Sequence, residues 1–326
     1  MIAATTARPR DYLRVSDLSA EELASVLWLA ERMRRHPNTW IDRHRGESVA
    51  CYFEKPSTRT RVSFEAAAHR LGMLPMMLKP DELQLGRGEL VSDTARVLSG
   101  FVSAIVMRTF SQDLIEETAA AASVPVINAL SDLHHPCQAL ADLLTIREVF
   151  GELDCVRLAY IGDANNVAHS LLEAGALVGL DVSIGCPEGY DPDGDVLADA
   201  QRLAEGTGAH LTVHRDPRDA VAGCDVVYTD VWVSMGEDEE RERRLRDLSP
   251  YAVTPELMDC APAHAQFMHC LPAHRGEEVS AEVIDGPRSL VWQQAANRLP
   301  TEQAILHALQ TTRSERFLAP EAEAVR

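Results

Sequence analysis

The chain has 326 residues, of which 46% are hydrophobic and 25% charged, and this length and composition predict a globular protein with two domains. Its formal net charge of -19 argues against nucleic-acid binding, because phosphate backbones would be repelled. The seven cysteines form no Cys-x-x-Cys pair and no apolar run approaches membrane-spanning length, so we expect a cytoplasmic protein with reduced thiols and no membrane attachment.

The first half of the chain alternates apolar runs with helical patterns. Residues 17–36 predict an amphipathic helix that begins near Ser19. The run 49–53 predicts a buried strand, and the helical pattern after it ends at Gly72. Further strands are predicted at 74–78, 104–107 and 124–127, with a helix at 94–98 and a long helix ending near Phe150. This alternation indicates a parallel α/β sheet.

The segment 53–61, between the first strand and its helix, has the composition of a phosphate site. Ser57 or Thr58 is predicted near the helix N-cap, where unpaired N–H groups and the macrodipole favour an anion. Arg59 and Arg61 are unfavourable at the positive end of a helix unless an anion binds them, and arginine binds phosphate oxygens in a bidentate manner. The alternative is an ordinary capped helix with a solvated basic first turn. We favour a phosphate site that also includes Thr60.

Three further polar residues of this half follow predicted strands. Arg108 comes after a strand, so its guanidinium would emerge at the strand end, although a surface salt bridge explains it equally well. His135 and Gln138 lie three residues apart at the start of the long helix, where a capping histidine and a solvated glutamine are the alternative. An imidazole, an amide and the Thr60 hydroxyl together can polarise a carbonyl and hold an NH2 group. Gln84, in the polar loop 80–88, indicates little by itself.

A second run of strands and helices begins after residues 151–154. Strands are predicted at 156–161, 182–184, 211–213, 226–228 and 266–268, and a final helix at about 300–310. We therefore predict an α/β fold with two domains, each with a central parallel sheet flanked by helices. The expected domains are 1–150 and 151–289, with the C-terminal segment of about 290–326 packing back on the first. Ligands of open parallel sheets bind beyond the carboxyl ends of the strands, so we expect the active site in the interdomain cleft.

The second half also places polar residues at predicted strand ends. Residues 160–166 form a strand, a polar turn and a helix start, but the G-x-G-x-x-G spacing of a dinucleotide site is missing. Two interpretations are open for Asp230. It is either a helix cap or turn residue, or the carboxylate that binds the ammonium group of an amino-acid substrate. Cys270 and His269 are unconvincing as a nucleophilic pair, because adjacent strand residues point to opposite faces, and their spacing predicts no metal site. Arg298 offers one more guanidinium.

Several of these motifs resemble those of the transcarbamylases. Residues 57–61 resemble the Ser-Thr-Arg-Thr-Arg signature of that family, 135–138 its His-Pro-x-Gln element, and 294–299 its Gln-Ala-x-Asn-Arg-Leu pattern. Ser-Met-Gly at 234–236 and His-Cys-Leu-Pro at 269–272 resemble the members that use ornithine rather than aspartate. The motifs follow in matching order over nearly the whole chain. Pro56 and Ala296 depart from the pattern, but neither departure removes a group that contacts substrate.

The resemblance implies transfer of the carbamoyl group of carbamoyl phosphate to the δ-amino group of L-ornithine, giving citrulline and phosphate, within arginine metabolism. It implies carbamoyl-phosphate binding by Ser57, Thr58, Arg59, Thr60, Gln84, Arg108, His135, Gln138, Cys270, Leu271 and Arg298. It implies ornithine binding by Asn166, Asp230, Ser234 and Met235. The expected catalytic residues are Arg59, Thr60, Arg108, His135, Gln138, Cys270 and Arg298. The reaction requires no metal and no organic cofactor.

The resemblance also implies a homotrimer, or a multiple of trimers, in which Gln84 reaches a neighbouring subunit's site. Three other functions stay open at this point. A sister enzyme that acts on putrescine or another amine would differ in the region 230–236. A nicotinamide dehydrogenase is opposed by the missing glycine spacing, and a binding protein without activity is opposed by the full set of arginines and by His135.

Overall fold

The computed structural model describes residues 11–83, 88–233 and 240–311, which fold into two compact units. The first unit comprises the described residues up to Leu18, Ser25–Asp132 and the described residues from Leu299 onward. The second comprises Ser19–Ala24 and Leu133–Arg298. The long helix that ends at Phe150 therefore groups with the second unit, and the domain boundary between residues 150 and 151 stays a prediction.

A parallel sheet forms the centre of the first unit. Over the described residues it has four strands: β1 (Ser48–Phe53), β2 (Leu74–Leu78), β3 (Ala104–Arg108) and β4 (Val126–Leu130). Their order across the sheet is β2-β1-β3-β4. Strands β1, β3 and β4 are buried along most of their length, which is typical of parallel sheets that helices cover, whereas the edge strand β2 is largely exposed or half-buried.

Helices connect the strands of this unit, namely α2 (Arg59–Leu71), α3 (Val91–Ser99) and α4 (Gln112–Ala121), with α1 (Ala20–Arg35) preceding the sheet. Helix α2 ends as predicted at Gly72, whose φ of 82° lies in the left-handed region. A Cβ atom at Gly72 would lie 2.8 Å from the Cα atom of Asp42, so both the conformation and the space require glycine.

The second unit has a second parallel sheet. Its strands among the described residues are β5 (Arg157–Ile161), β6 (Asp181–Gly185), β7 (Leu211–His214), β8 (Val226–Thr229) and β9 (Gln266–His269), in the order β7-β6-β5-β8-β9. The helices are α5 (Pro136–Phe150), α6 (Asn166–Val178), α7 (Gly194–Ala204), α8 (Pro217–Val221), α9 (Arg241–Leu248), α10 (Pro255–Met258) and α11 (Ala281–Ile284). The prediction of two parallel-sheet α/β domains is confirmed.

The last helix, α12, spans Val291–Gln310 and contains Pro300 in its interior. The prediction that it begins at about Pro300 was wrong. Proline is common at the first position of a helix and costly in its interior. The local pattern therefore predicted a helix start at Pro300, whereas the helix already begins at Val291. Within the described ranges, no helix combines the length and apolar character that crossing a bilayer requires.

Strand order determines where each sheet can bind a ligand. In the first unit the chain passes from β1 to β2 on one side and from β3 to β4 on the other, so the order of the strands reverses between β1 and β3, where Phe53 pairs in register with Arg108. In the second unit the order of the strands reverses between β5 and β8, where Ile161 pairs with Thr229. Segments that leave neighbouring carboxyl ends at such a switch point diverge and leave a crevice between them. The residues that follow Phe53, Arg108, Ile161 and Thr229 therefore lie where a ligand of each sheet would bind.

A buried histidine pair lies in the first unit, away from these strand ends in sequence. His44 Nε2 lies 2.8 Å from His307 Nδ1, and His44 Nδ1 lies 3.0 Å from a Glu47 carboxylate oxygen. Since Glu47 can only accept, His44 carries its proton on Nδ1 and accepts a hydrogen bond from His307. Burial is the main cause that lowers the pKa of His307 to about 4, and electrostatic interactions with the neighbouring His44 and Arg43 act in the same direction.

This histidine pair predicts an acid-sensitive fold. The folded pKa of His307 lies below the unfolded value of about 6.5, so the unfolded chain binds more protons between about pH 4 and pH 6.5 and stability falls as the pH decreases through that window. The loss attributable to this group is on the order of 3 kcal/mol. His307→Asn keeps a donor for His44 but cannot titrate. The free energy of unfolding, measured with urea from pH 7.5 to pH 4.5, should therefore depend less on pH in this variant than in the unsubstituted protein. An unchanged slope would contradict the assignment.

Candidate active site

The turn between β1 and α2 carries the predicted phosphate residues. Ser57 Oγ accepts a hydrogen bond from the backbone N–H of Thr60 at 3.2 Å, so Ser57 caps the helix although Thr58 occupies the N-cap position. Arg59 is the first residue of the helix and is half-buried, while the Thr60 side chain is buried. The N-terminus of α2 thus brings a hydroxyl, a guanidinium and backbone N–H groups to one place, a combination that binds oxyanions.

Arg108 joins this set from the neighbouring strand. It is the last residue of β3, is only 7% exposed, and its Nη1 lies 3.5 Å from Thr60 Oγ1, a long and therefore weak hydrogen bond. The parallel pairing of Phe53 with Arg108 explains the proximity, because both residues end their strands at the same edge of the sheet. Ser57, Thr60 and Arg108 are therefore brought together by the first unit alone.

A buried lysine beside this turn was missed by sequence reasoning. Lys55 is 5% exposed, forms an ion pair with Asp132, and its Nζ lies 4.2 Å from the centre of the Phe110 ring. The backbone N–H of Phe110 also donates to a carboxylate oxygen of Glu54 at 3.1 Å. These contacts connect the turn after β1 to the turn after β3. No local signal identifies Asp132 as the partner of Lys55, since the two are distant in sequence.

In the second unit, the start of α5 presents His135 and Gln138. His135 occupies the N-cap position and donates its backbone N–H to Ser170 Oγ at 2.8 Å. Gln138 is 2% exposed, donates from Nε2 to Asp142 at 2.8 Å and accepts at Oε1 from Arg298 Nη1 at 2.8 Å. The predicted residues His135, Gln138 and Arg298 therefore belong to the same unit, and two of them are in direct contact.

Asp142 itself was not singled out from the sequence. Burial raises its pKa to about 7, while hydrogen bonds from Gln138, Gln294 and Tyr228 and the charge of Arg298 act in the opposite direction and favour the ionised form. Burial also raises the pKa of Tyr228 well above 10, so its hydroxyl keeps its proton and donates to Asp142 at 3.2 Å.

The ends of β8 and β9 bring Asp230 and Cys270 together. Thr229 pairs with His269 at the ends of the two strands, and the residue that follows each strand supplies the functional group. Cys270 Sγ donates to Asp230 Oδ1 at 2.8 Å, and the same oxygen accepts the backbone N–H of Val231 at 2.8 Å. A carboxylate and a thiol at one strand edge can together orient an amine, since the carboxylate accepts and the sulfur is a weak acceptor.

The backbone after Cys270 is held in an unusual conformation. Leu271 has a φ of 57°, in the left-handed region that non-glycine residues rarely adopt, and the Leu271–Pro272 peptide bond is cis. The backbone N–H of Leu271 donates to His269 Nδ1 at 2.8 Å, so His269 carries its proton on Nε2 and donates it to Glu278 at 3.2 Å. Glu278, fully buried, was also missed by the sequence analysis.

Asn166 is the first residue of α6, one position after the N-cap residue Asn165, whose Oδ1 accepts from the backbone N–H of Val167 at 3.2 Å. The turn before it contains Gly162, with a φ of 124°. A Cβ atom at Gly162 would lie 3.3 Å from the Trp232 indole nitrogen, so glycine allows the segment after β8 to approach this turn.

Among the residues that the structure describes, two groups of side chains bring possible metal ligands within 4.8 Å of one another: Asp230 with His269 and Cys270, and His274 with Glu277 and Glu278. In the first group both ring nitrogens of His269 are already engaged, one by the Leu271 N–H and the other by Glu278. In the second, Glu278 accepts the backbone N–H of His274 and Glu277 pairs with Arg241. A cation at either place would have to displace these hydrogen bonds.

Comparison with known proteins identifies the family. A family model described as the carbamoyl-phosphate-binding domain of aspartate/ornithine carbamoyltransferase matches residues 10–148, and one described as the aspartate/ornithine-binding domain matches residues 154–309. The chain belongs to the aspartate/ornithine carbamoyltransferase family. It is therefore a carbamoyltransferase, and the family predicted from the sequence motifs is confirmed.

Individual family members are similar over most of their length. An ornithine carbamoyltransferase of Listeria monocytogenes serotype 4a is 49% identical over 310 residues, which cover 95% of this chain and 98% of the relative. One from Methanothermobacter thermautotrophicus is 55% identical over 265 residues, covering 81% of this chain and 88% of the relative. The structure of ornithine carbamoyltransferase from Pyrococcus furiosus has a TM-score of 0.89 and 46% identity, over 94% of this chain and 98% of that one.

Within this family fold, the predicted site residues divide between the two units. The first unit holds Ser57, Thr58, Arg59, Thr60 and Arg108, and the second holds His135, Gln138, Asn166, Asp230, Cys270, Leu271 and Arg298. Gln84, Ser234 and Met235 lie outside the described residues. The substrate contacts of all these residues stay predictions.

Arg244 is a further residue that the motif analysis missed. Its side chain is 8% exposed, its Nη2 pairs with Asp163 in the turn after β5, and its Nε donates to the backbone oxygen of Trp232 at 2.6 Å. One guanidinium thereby connects the two turns that leave the switch point of the second sheet. The geometry requires an arginine, because a lysine ammonium cannot donate from two planar positions at once.

We expect Arg244→Ala to destabilise the protein by about 3–5 kcal/mol, because it leaves the mostly buried carboxylate of Asp163 without its cation. Arg243→Ala in the same helix is the matched control, since its pair with Glu240 is solvent-exposed and such pairs contribute about 0–1 kcal/mol. Urea unfolding of both variants measures the difference. An equal loss of stability in both variants would contradict the inference that the buried Arg244 connects the two turns.

Proposed function

We propose that this chain is an ornithine carbamoyltransferase: it transfers the carbamoyl group of carbamoyl phosphate to the δ-amino group of L-ornithine, with L-citrulline and phosphate as products, within arginine metabolism. The observation that carries the proposal is the similarity to ornithine carbamoyltransferases at about half identity over more than nine tenths of the chain. The pairing of Asp230 with Cys270 after β8 and β9 adds support, because it supplies an acceptor for an amino group.

In this proposal Ser57, Thr58, Arg59, Thr60 and Arg108 bind the phosphate. The N-terminus of α2 and two guanidinium groups neutralise its charge, which grows on the bridging oxygen as the carbon–oxygen bond breaks. His135, Gln138, the backbone of Cys270 and Leu271, and Arg298 bind the carbamoyl end. Hydrogen bonds from Thr60, Arg108 and His135 stabilise the oxyanion of the tetrahedral intermediate.

Ornithine is bound by Asn166, Asp230, Ser234 and Met235 in the same proposal. Its δ-amino group attacks the carbonyl carbon and must be neutral to do so, although an alkylamine has a pKa near 10. Asp230 and Cys270 orient this amine. A carbon–nitrogen bond forms, the carbon–oxygen bond to phosphate breaks, and the departing phosphate takes the proton that the amine loses. The protein contributes positioning and electrostatic stabilisation.

We further propose that the chain works in the cytoplasm as a homotrimer or a multiple of trimers. Gln84 then contacts carbamoyl phosphate in a neighbouring subunit. The support for this is the resemblance of the loop 80–88 to the loop that reaches across subunits in the family.

The first test is product formation from carbamoyl phosphate with ornithine, putrescine, N-acetylornithine and aspartate as parallel acceptors. We expect rapid product formation with ornithine alone, because the relatives that match this chain at about half identity are ornithine carbamoyltransferases. Turnover with a different acceptor would retain the phosphate half of the proposal and refute the roles of Asp230, Ser234 and Met235. Inactivity with every acceptor would refute the proposed function and favour a binding protein without activity.

A second test addresses the phosphate turn. Arg59→Ala should lower kcat/KM for carbamoyl phosphate at least about a thousandfold, since it removes a charge-assisted contact to the leaving phosphate. Arg70→Ala is the matched control: Arg70 is an exposed arginine in the last turn of the same helix, and its loss should change kcat/KM less than about threefold. Similar effects of both substitutions would argue against a phosphate site at the start of α2.

A further inference from the structure

Asp142 lies at the centre of a buried hydrogen-bond network in the second unit. Its side chain is fully buried, and it follows Gln138 by one turn of α5, so the two side chains share a helix face. Oδ1 accepts from Gln138 Nε2 at 2.8 Å and from Gln294 Nε2 at 2.7 Å, and Oδ2 accepts from the Tyr228 hydroxyl at 3.2 Å. Donors from α5, α12 and β8 therefore converge on one carboxylate.

The carboxylate determines which way the Gln138 amide points. Above its pKa of about 7 the Asp142 carboxylate is ionised and only accepts hydrogen bonds, so the NH2 group of Gln138 must face it. The amide oxygen is then turned toward Arg298, whose Nη1 donates to it at 2.8 Å. With the amide reversed, an NH2 group would face a guanidinium that has no acceptor, and the amide oxygen would face an anion.

Gln294 and Tyr228 hold the carboxylate in place from the other side. Gln294 Nε2 donates to both Asp142 and the Tyr228 oxygen, the latter at 3.0 Å, and its Oε1 accepts the backbone N–H of His269 at 3.0 Å. Tyr228 also stacks on Tyr160 with ring centres 5.7 Å apart, which limits movement of its hydroxyl. The same rule that orients the Gln138 amide therefore orients that of Gln294.

Stability alone does not explain a charge at this position. Burying a carboxylate costs free energy that its hydrogen bonds only offset, and apolar side chains of similar volume are often as stable in such places. A fixed anion does, however, determine the orientation of neighbouring amides and of a guanidinium, which an apolar residue cannot do.

We infer that Asp142 is a positioning residue for carbamoyl-phosphate binding: it fixes the Gln138 amide, and through it the Arg298 guanidinium, in the orientation that binds the carbamoyl end. The inference rests on the proposed roles of Gln138 and Arg298. Asp142 itself contacts no substrate and acts only through Gln138.

The test is carbamoyl-phosphate affinity in Asp142→Asn. Asparagine keeps the volume and one acceptor oxygen but lacks the charge, so the Gln138 amide is free to reverse and present its NH2 group to Arg298. Calorimetric titration with carbamoyl phosphate at about pH 8.5, where Asp142 is ionised, and without ornithine should give a Kd at least about tenfold higher than that of the unsubstituted protein. The KM for ornithine at saturating carbamoyl phosphate should change less than about threefold. An unchanged Kd for carbamoyl phosphate would overturn the inference.

Tyr228→Phe is the matched control for a general loss of stability. It removes the hydrogen bond to Asp142 Oδ2 and the oxygen that accepts from Gln294, but keeps both glutamine contacts to Asp142 Oδ1 and the ring that stacks on Tyr160. We expect it to lower the urea midpoint of unfolding while the Kd for carbamoyl phosphate changes less than about threefold. An increase in Kd as large as that of Asp142→Asn would mean that the network acts through stability, and would refute positioning.

A double-mutant cycle tests whether Asp142 acts through Gln138. In a Gln138→Leu background no amide remains to be oriented, so adding Asp142→Asn should raise the Kd less than about twofold. An equal fold-increase in both backgrounds would refute the inference. If Asp142→Asn does not fold, Asp142→Ser, which leaves room for a water, replaces it with the same expectations.

The outcome for this inference is separable from that for the proposed function. Citrulline formation by the unsubstituted protein tests the function without reference to Asp142. An active protein whose Asp142→Asn variant binds carbamoyl phosphate normally would refute only the positioning role.

Discussion

Parallel strand pairing at a topological switch point is the constraint on which the rest of the structure depends. Because β1 and β3 run in the same direction with Phe53 opposite Arg108, the helix N-terminus after one strand and the guanidinium at the end of the other meet at one edge. The pairing of Thr229 with His269 has the same effect for Asp230 and Cys270. A register shift of one residue would turn each of these side chains to the opposite face of its sheet.

Buried polar groups determine the finer geometry of the second unit. Each acceptor-only carboxylate restricts its neighbours: Asp142 fixes two glutamine amides, and Glu278 fixes the tautomer of His269. That tautomer in turn leaves Nδ1 free to accept the Leu271 N–H, which supports a backbone conformation that is otherwise unfavourable. Because each hydrogen bond in the buried interior has a fixed donor and a fixed acceptor, residues that contact no substrate determine the orientation of the residues proposed to bind it.

Local charge matters more than total charge in this protein. The chain has a formal net charge of -19, yet the turn after β1 and the end of β3 concentrate Lys55, Arg59 and Arg108. Lys55 is compensated by Asp132, and in the second unit Arg244 is compensated by Asp163. In both pairs the cation is buried, although Asp132 is exposed and Asp163 is mostly buried, and the two pairs order the turns around the switch points. The excess of acidic residues elsewhere affects solubility more than binding.

The sequence by itself determined the α/β class, the end of α2 at Gly72, the strands to within a few residues and the family, because these depend on local periodicity, glycine conformation and short motifs. Local pattern failed at α12, where Pro300 looked like a helix start and is an interior residue. The partners of Asp142, Lys55 and Arg244 were decided only by the tertiary structure. Apart from the contact of Asp142 with Gln138 one helical turn away, those contacts join residues far apart in the chain. Whether a polar side chain is buried against a partner or solvated depends on packing that no local pattern encodes.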